Sequence, residues 1–320
     1  MEGQQSYYVP ESSKLAICMA TAVAVLIYGA AGFLNNTHAT YGDGSDSTSG
    51  WLLLIGLAGF CAVLAVWFGK TIDENMRGLN NPQLKQSYAL GMIWFIASEV
   101  MFFACFFGVL WYVRNLAGPW LAGEGANAMT NEILWQGFQY NWPMLETPQQ
   151  AVGGVASQVQ ANAGEFIGAH EDMAFPGFAG LLNWIPFWNT SALLASSFTV
   201  HIAHGALKNN QRSKFNLWLG ISLALAFIFV ALQVYEYYEA YAHLGLTLES
   251  GIYGSTFFIL TGFHGFHVCM GAIMLTVQWL RSVGKNHFSA EDQFGFEASS
   301  WYWHFVDVVW VGLVLFVYVL

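Results

Sequence analysis

Charge is scarce in this sequence. Only 9% of its 320 residues are charged, whereas a soluble domain carries about 25%. That deficit excludes a soluble protein built on one large core and fits a chain whose solvent is mostly lipid. Basic residues are the scarcer sign, 10 Lys and Arg against 20 Asp and Glu. They form no cluster, which excludes nucleic acid as a partner. The net charge of −10 says little about other partners, because many of the acids lie in connecting segments. Cysteine is sparse too. Cys18, Cys61, Cys105 and Cys269 each fall in an apolar run, with no CxxC and no loop pair. A disulfide framework is therefore excluded, and buried small hydrophobes are expected instead. There is no repeat of solenoid period. The opening MEGQQSYYVPESSK has no basic n-region and no small-residue cleavage site, so the first apolar run is expected to stay as a membrane anchor.

What the chain does have is long apolar runs. Seven of roughly 20 residues lie near 15–34, 51–69, 87–113, 180–205, 215–240, 252–280 and 299–320. They predict an all-α membrane protein with seven transmembrane helices, and their small residues suit close helix packing in lipid. Polar or turn-forming stretches bound them, such as NNTHATYGDGSDSTSG and RGLNNPQ. Segment 114–179 is different: long, rich in Gly, Gln and Ala, and read as an extramembrane excursion with one amphipathic helix around Gln149–Phe166. Lys14, Lys70, Arg77, Lys85, Lys208, Arg212, Lys214, Arg281 and Lys285 all fall on one side of the spans, and only Arg114 on the other. The positive-inside rule then puts the N terminus inside and the C terminus outside. Trp51, Trp111 and Trp184 near outer ends, with Trp67, Trp218 and Trp301 near inner ends, fit aromatic belts.

At about 1.5 Å per residue, the polar groups within the spans sort by depth. Glu99 on the third span and His264 and His267 on the sixth are near mid-membrane. His201 and His204 on the fourth, with Glu297, His304 and Asp307 at the seventh, form an inner set, and Glu236 on the fifth is toward the outer end. A charge at the bilayer centre costs about 2.5–3.5 kcal/mol, so each needs a reason. Two imidazoles three apart on one helix face suit a metal or haem, but no Glu-x-x-His pair accompanies them to complete a ligand set. The other reading is neutral rings bonded to neighbouring helices, each worth roughly 0.6 kcal/mol. Glu99 is open between a protonated structural carboxyl and a proton-linked group. His304 and Asp307, one turn apart, form a structural pair. Arg77 is either a topology charge or a lipid-phosphate contact.

Several long strings together resemble cytochrome c oxidase subunit III, of the haem–copper oxidase superfamily (aa3 type). They are WFIASEVMFF, LLNW..PFWNTSALLASS, AHGALKNN, LQVYEYYEA, GIYGSTFFILTGFHGFHV and FGFEASSWYWHFVDVVW, in order from the third span to the seventh. YYVPESSK and KTIDENMRG give weaker support over the first two. The resemblance implies a two-helix bundle over 1–86 and a five-helix bundle over 87–320, with a lipid-filled cleft between helices 1–2 and helices 3–7.

It implies a subunit of a proton-pumping respiratory oxidase that carries no redox centre and no catalytic residue. Subunit I would be its main contact, with subunit II in the complex, haem a, haem a3, CuA and CuB held by those partners, and cytochrome c as donor. Supporting proton uptake, lipid and oxygen access and turnover stability are the implied roles, with bound phospholipids. Glu99 matches the family's carbodiimide-reactive membrane carboxylate and Arg77 a lipid-headgroup contact. His204, His264, His267, Glu236, Glu297, His304 and Asp307 become structural polar groups and not metal ligands. The insertion at 114–179 is longer than the family's usual connection, and the ending FVYVL lacks the family's usual Trp/Gly. A bacterial plasma (inner) membrane is expected rather than a mitochondrial one. The other readings are subunit III of a quinol oxidase, a free-standing proton transporter, and a membrane haem or metal protein.

Overall fold

A computed structural model describes residues 8–9, 12–37, 48–144, 147–149, 151–153, 175–248, 250–285, 287–288 and 292–319. The described chain is helical, with seven long helices: α1 Leu15–Thr37, α2 Thr48–Met76, α3 Pro82–Tyr112, α4 Ile185–Lys208, α5 Arg212–Ala242, α6 Gly251–Lys285 and α7 Phe294–Leu313. α3 and α7 each run on through a wider π-type turn, at Val113–Ala117 and Val314–Val319. Every helix overlaps one of the seven apolar runs. Most reach further into polar flanks, because backbone hydrogen bonding continues where the side chains turn hydrophilic. The amphipathic helix expected around Gln149–Phe166 lies almost wholly outside the described residues.

Six of these helices are long and apolar enough to cross a bilayer: α1, α2, α3, α5, α6 and α7. The fourth, α4, has 24 residues, about 36 Å at 1.5 Å each, but is more polar. Asn189, Thr190, Ser191, Ser196, Ser197, Thr199, His201 and His204 dilute its apolar content. Three of these, Asn189, Ser196 and Thr199, are buried. They bond inside the helix bundle, so the polarity serves packing.

By contacts the chain divides into two compact units, Met1–Leu90 and Gly91–Leu320. In the first, α1 and α2 pack through glycines. A Cβ on Gly29 would lie 2.3 Å from the Leu53 nitrogen, and one on Gly56 would lie 2.5 Å from the Leu26 backbone. Only hydrogen fits at these two crossings, which is how small residues bring helices together where water supplies no driving force. Asn36 donates to Ser49 Oγ at 3.0 Å near the end of the pair. α2 stops at a glycine: Gly78 has φ +72°, and Leu79 N–H returns to the Glu74 carbonyl at 3.2 Å, the bond that closes a Schellman motif. Asn81 then caps α3, accepting from Leu84 N–H at 2.8 Å, with Pro82 as its first residue.

In the second unit α4 packs on α5 and α7, and α6 on α5 and α7. The tight α4–α5 turn depends on Asn210, at φ +55°, a left-handed conformation that Asn tolerates. The core holds Trp303, Trp310, Phe215, Phe229, Phe257 and Phe296, each less than 2% exposed. Its indoles are tied by polar groups of α4: Trp303 Nε1 donates to Ser196 Oγ and Trp310 Nε1 to Thr190 Oγ1, both at 3.0 Å. Thr199 and Ser222 join α4 to α5 at 2.7 Å.

One expectation is corrected. Cys18, Cys61, Cys105 and Cys269 are free and exposed, not buried. Apolar neighbours in sequence imply burial only when the solvent is water. On a helix that faces lipid, an apolar run covers the outer surface as well as the inner.

Candidate functional site

The mid-depth group comes together across two helices. Glu99 lies on α3, and its Oε2 is 2.9 Å from Nε2 of His267 on α6. The other ring nitrogen, Nδ1, is 2.6 Å from the Phe263 carbonyl of its own helix. A carbonyl only accepts, so Nδ1 carries a hydrogen. Nε2 and Oε2 must then share one proton. Either the Glu99 acid donates to a neutral ring, or an imidazolium donates to a carboxylate. In both cases the pair is neutral overall, which is what a low-dielectric site demands. Aromatic rings enclose it: Phe103 edge-on to His267 at 5.0 Å, Phe102 at 6.0 Å and Tyr302 stacked at 6.3 Å.

His264, three residues earlier, does not join them. It is 1% exposed, its Nε2 meets the Val306 carbonyl of α7 at 3.2 Å, and its ring tilts against Trp310 at 4.9 Å. The donor is again the ring, so Nδ1 is left as a buried acceptor without a hydrogen-bond partner among the described residues. The two histidines therefore serve different neighbours. Among the described residues, no three His, Cys, Asp or Glu side chains converge in a way that could hold a metal ion.

The inner set forms two contacts between α4 and α7. His204 Nε2 lies 3.3 Å from Glu297 Oε1, with Phe296 edge-on to its ring at 5.7 Å. His304 Nδ1 lies 2.7 Å from Ser197 Oγ and 3.5 Å from Asp307 Oδ2. Asp307 itself is buried. His201 is exposed. Arg77 is exposed and pairs with Asp73 one turn earlier, Nη2 to Oδ2 at 2.7 Å.

The outer glutamate sits in a group that sequence reasoning did not assemble. Glu236 Oε1 accepts from Tyr318 Oη at 2.6 Å, and Oε2 from Asn189 Nδ2 at 3.1 Å. Asn189 Nδ2 also reaches Gln233 Oε1 at 3.3 Å. Asn189 and Gln233 were available as signals, since an uncharged amide inside an apolar run needs a partner as a carboxyl does. Tyr318 gave no signal, being a tyrosine near the end of an apolar run. Beyond the spans, the described part of the insertion rests on the end of α3. Tyr140 donates to the Arg114 carbonyl at 2.7 Å, the Arg114 guanidinium lies 5.7 Å over Trp142, and Trp142 meets Tyr253 edge-on at 5.5 Å. Burial pushes the Tyr140 phenol above its usual range, against the lowering effect of Arg114.

Comparison with known proteins matches the chain to the family described as cytochrome c oxidase subunit III over residues 6–122 and 181–320, leaving 123–180 unmatched. Cytochrome c oxidase subunit 3 of Loxodonta africana is 35% identical over 268 residues, covering 83% of this chain and 83% of the relative. That of Carassius auratus is 34% identical over 268 residues with the same coverage. That of Homo sapiens is 33% identical over 269 residues, again covering 83% of each. The two matched stretches between them contain Glu99, Asn189, Glu236, His264 and His267, and at this identity and coverage the chain belongs to the cytochrome c oxidase subunit III family.

Proposed function

We propose that this chain is an accessory subunit of a proton-pumping oxidase that carries no redox centre of its own and supports the proton chemistry of subunit I. The observation that carries the reading is the 2.9 Å contact between Glu99 Oε2 and His267 Nε2, whose donor and acceptor chemistry calls for one proton between them. A carboxyl and an imidazole sharing a proton at mid-span let that proton pass from one group to the other while the pair stays neutral in lipid. Neither group belongs to a set of side chains that could bind a metal ion among the described residues. Subunits I and II would hold haem a, haem a3, CuA and CuB, with cytochrome c as donor to the complex. Seven crossings would place the N terminus inside and the C terminus outside, in a bacterial inner membrane, with helices 1–2 and 3–7 as separate bundles. Arg77, exposed beside Asp73, would meet a phospholipid headgroup, and bound lipid would aid oxygen access and endurance during turnover.

A hydrophobic carbodiimide tests the reading, since it reacts with protonated carboxyls from the lipid phase. In the assembled complex it is expected to label Glu99 ahead of the loop carboxylates, and Glu99→Gln is expected to abolish that labelling. The same variant is expected to reduce oxygen, with any defect confined to pumping efficiency or endurance. Complete loss of oxygen reduction in a fully assembled Glu99→Gln complex would overturn the accessory role.

A further inference from the structure

Glu236 stands apart from the pair above, some 24 residues beyond the start of α5 at Arg212, or about 36 Å along the helix. It is 8% exposed, Asn189 0% and Gln233 7%. The groups facing it come from every element packed around it: Asn189 of α4, Gln233 of its own helix, and Tyr318 after α7. Tyr237 of α5, bonded to Thr261 of α6 at 2.7 Å, and Tyr253 of α6 also lie within electrostatic range. Every titratable neighbour in this set is a tyrosine. No Lys, Arg or His among the described residues acts on the carboxyl. An ionised Glu236 would therefore be a buried anion with no cation beside it among the described residues.

The hydrogen bonds offer a way out. Two amide ends in the group, Asn189 Oδ1 and Gln233 Nε2, make no well-formed hydrogen bond among the described residues, although the Gln233 side chain lies near enough to act on both Glu236 and Tyr318. The oxygen and nitrogen of an amide are alike in shape, so their placement follows from the network around them. With both amides turned over, Asn189 Oδ1 stands 3.1 Å from Glu236 Oε2 and 3.3 Å from Gln233 Nε2, the positions now held by the nitrogen. Asn189 then accepts from Gln233 and from a Glu236 hydroxyl, while Tyr318 still donates to Oε1. The same three bonds form, and no charge is buried. One amide orientation suits the carboxylate and the other the neutral acid, and the missing cation selects the acid.

We propose that Glu236 is a second proton-holding site of the subunit, a neutral acid bonded to Asn189 whose amide, with that of Gln233, turns over when the proton leaves. The proton departs from Oε2 to water at the nearby helix end, and Asn189 Nδ2 replaces it as the donor to Oε2. This site is independent of Glu99 and of the reading given to it.

Infrared difference spectroscopy of the assembled complex in H2O and in D2O tests the assignment, through the deuterium-shifted stretch of a protonated carboxyl. Glu236→Gln is expected to remove one such band at neutral pH and to leave intact the band lost in Glu99→Gln. Asn189→Leu is expected to keep the Glu236 band but to move it to higher frequency, as a carbonyl does when its acid loses a hydrogen-bond partner. Raising the pH of the unmodified complex is expected to bleach the band. If Glu236→Gln assembles and removes no band, Glu236 is ionised and the proposal fails. If Glu236→Gln does not assemble, an unmoved carboxyl spectrum in Asn189→Leu overturns it instead.

Discussion

A double-mutant cycle on Glu99 and His267 can say where their shared proton resides. Glu99→Leu removes the carboxyl and His267→Leu the ring, and neither creates a new polar contact. The side chains are 21% and 8% exposed, so each is left largely without solvent when its partner is lost. If the proton sits on Glu99, the bond is neutral. Each single change should then cost about 1–3 kcal/mol for the orphaned group, and the coupling should fall near the 0.6–1.7 kcal/mol, roughly, measured for bonds between membrane helices. If the proton sits on His267, each single change strands a buried charge, at a cost of about 3–5 kcal/mol. The acid form is the one expected, since it leaves no ion within the span. The assay is the equilibrium retention of this subunit in the purified complex across a detergent series, where about 1.4 kcal/mol is tenfold in the retention constant. A coupling above about 3 kcal/mol refutes the acid form. A coupling indistinguishable from zero refutes the bond itself.

Two further outcomes follow from the helices. Gly56→Leu places a side chain where a Cβ alone would lie 2.5 Å from the Leu26 backbone, and should weaken the α1–α2 pair by about 1–3 kcal/mol. Gly69→Leu, on the same helix with open space around it, should be neutral, and equal loss in both variants of the isolated membrane protein would count against the packing. A single cysteine placed in 114–179, in a chain whose native cysteines are replaced, should be labelled from outside, and one in 208–214 only from within. The reverse pattern refutes the seven-crossing orientation.

The positions of the seven helices were legible because apolar length is a strong signal when every backbone group must be satisfied within the segment. What composition hid was which face of each helix met protein. α4 shows the cost of that: its Asn189, Ser196 and Thr199 lower its apparent fitness for a membrane, yet all three are buried. The cysteines show the converse, apolar surroundings in sequence and exposure in space. Helix ends were read short wherever the polar chemistry itself forms the cap, as at Asn81, whose side chain accepts from Leu84 N–H.

Depth along a helix can be counted from sequence, but rotation about its axis cannot when apolar residues surround it on all sides. Counting put Glu99, His264 and His267 at one level, and it could not divide the two histidines between partners. The division follows from their spacing: three residues at 3.6 per turn set them about 60° apart. That angle is enough for His267 to face α3 and its carboxyl while His264 faces the Val306 carbonyl of α7. The same spacing that invited a metal reading therefore serves two separate interfaces. Each ring spends one N–H on a backbone carbonyl, and only His267 has a titratable partner for its second nitrogen. That difference, and not the presence of imidazoles, makes one histidine a candidate for proton chemistry and leaves the other to packing.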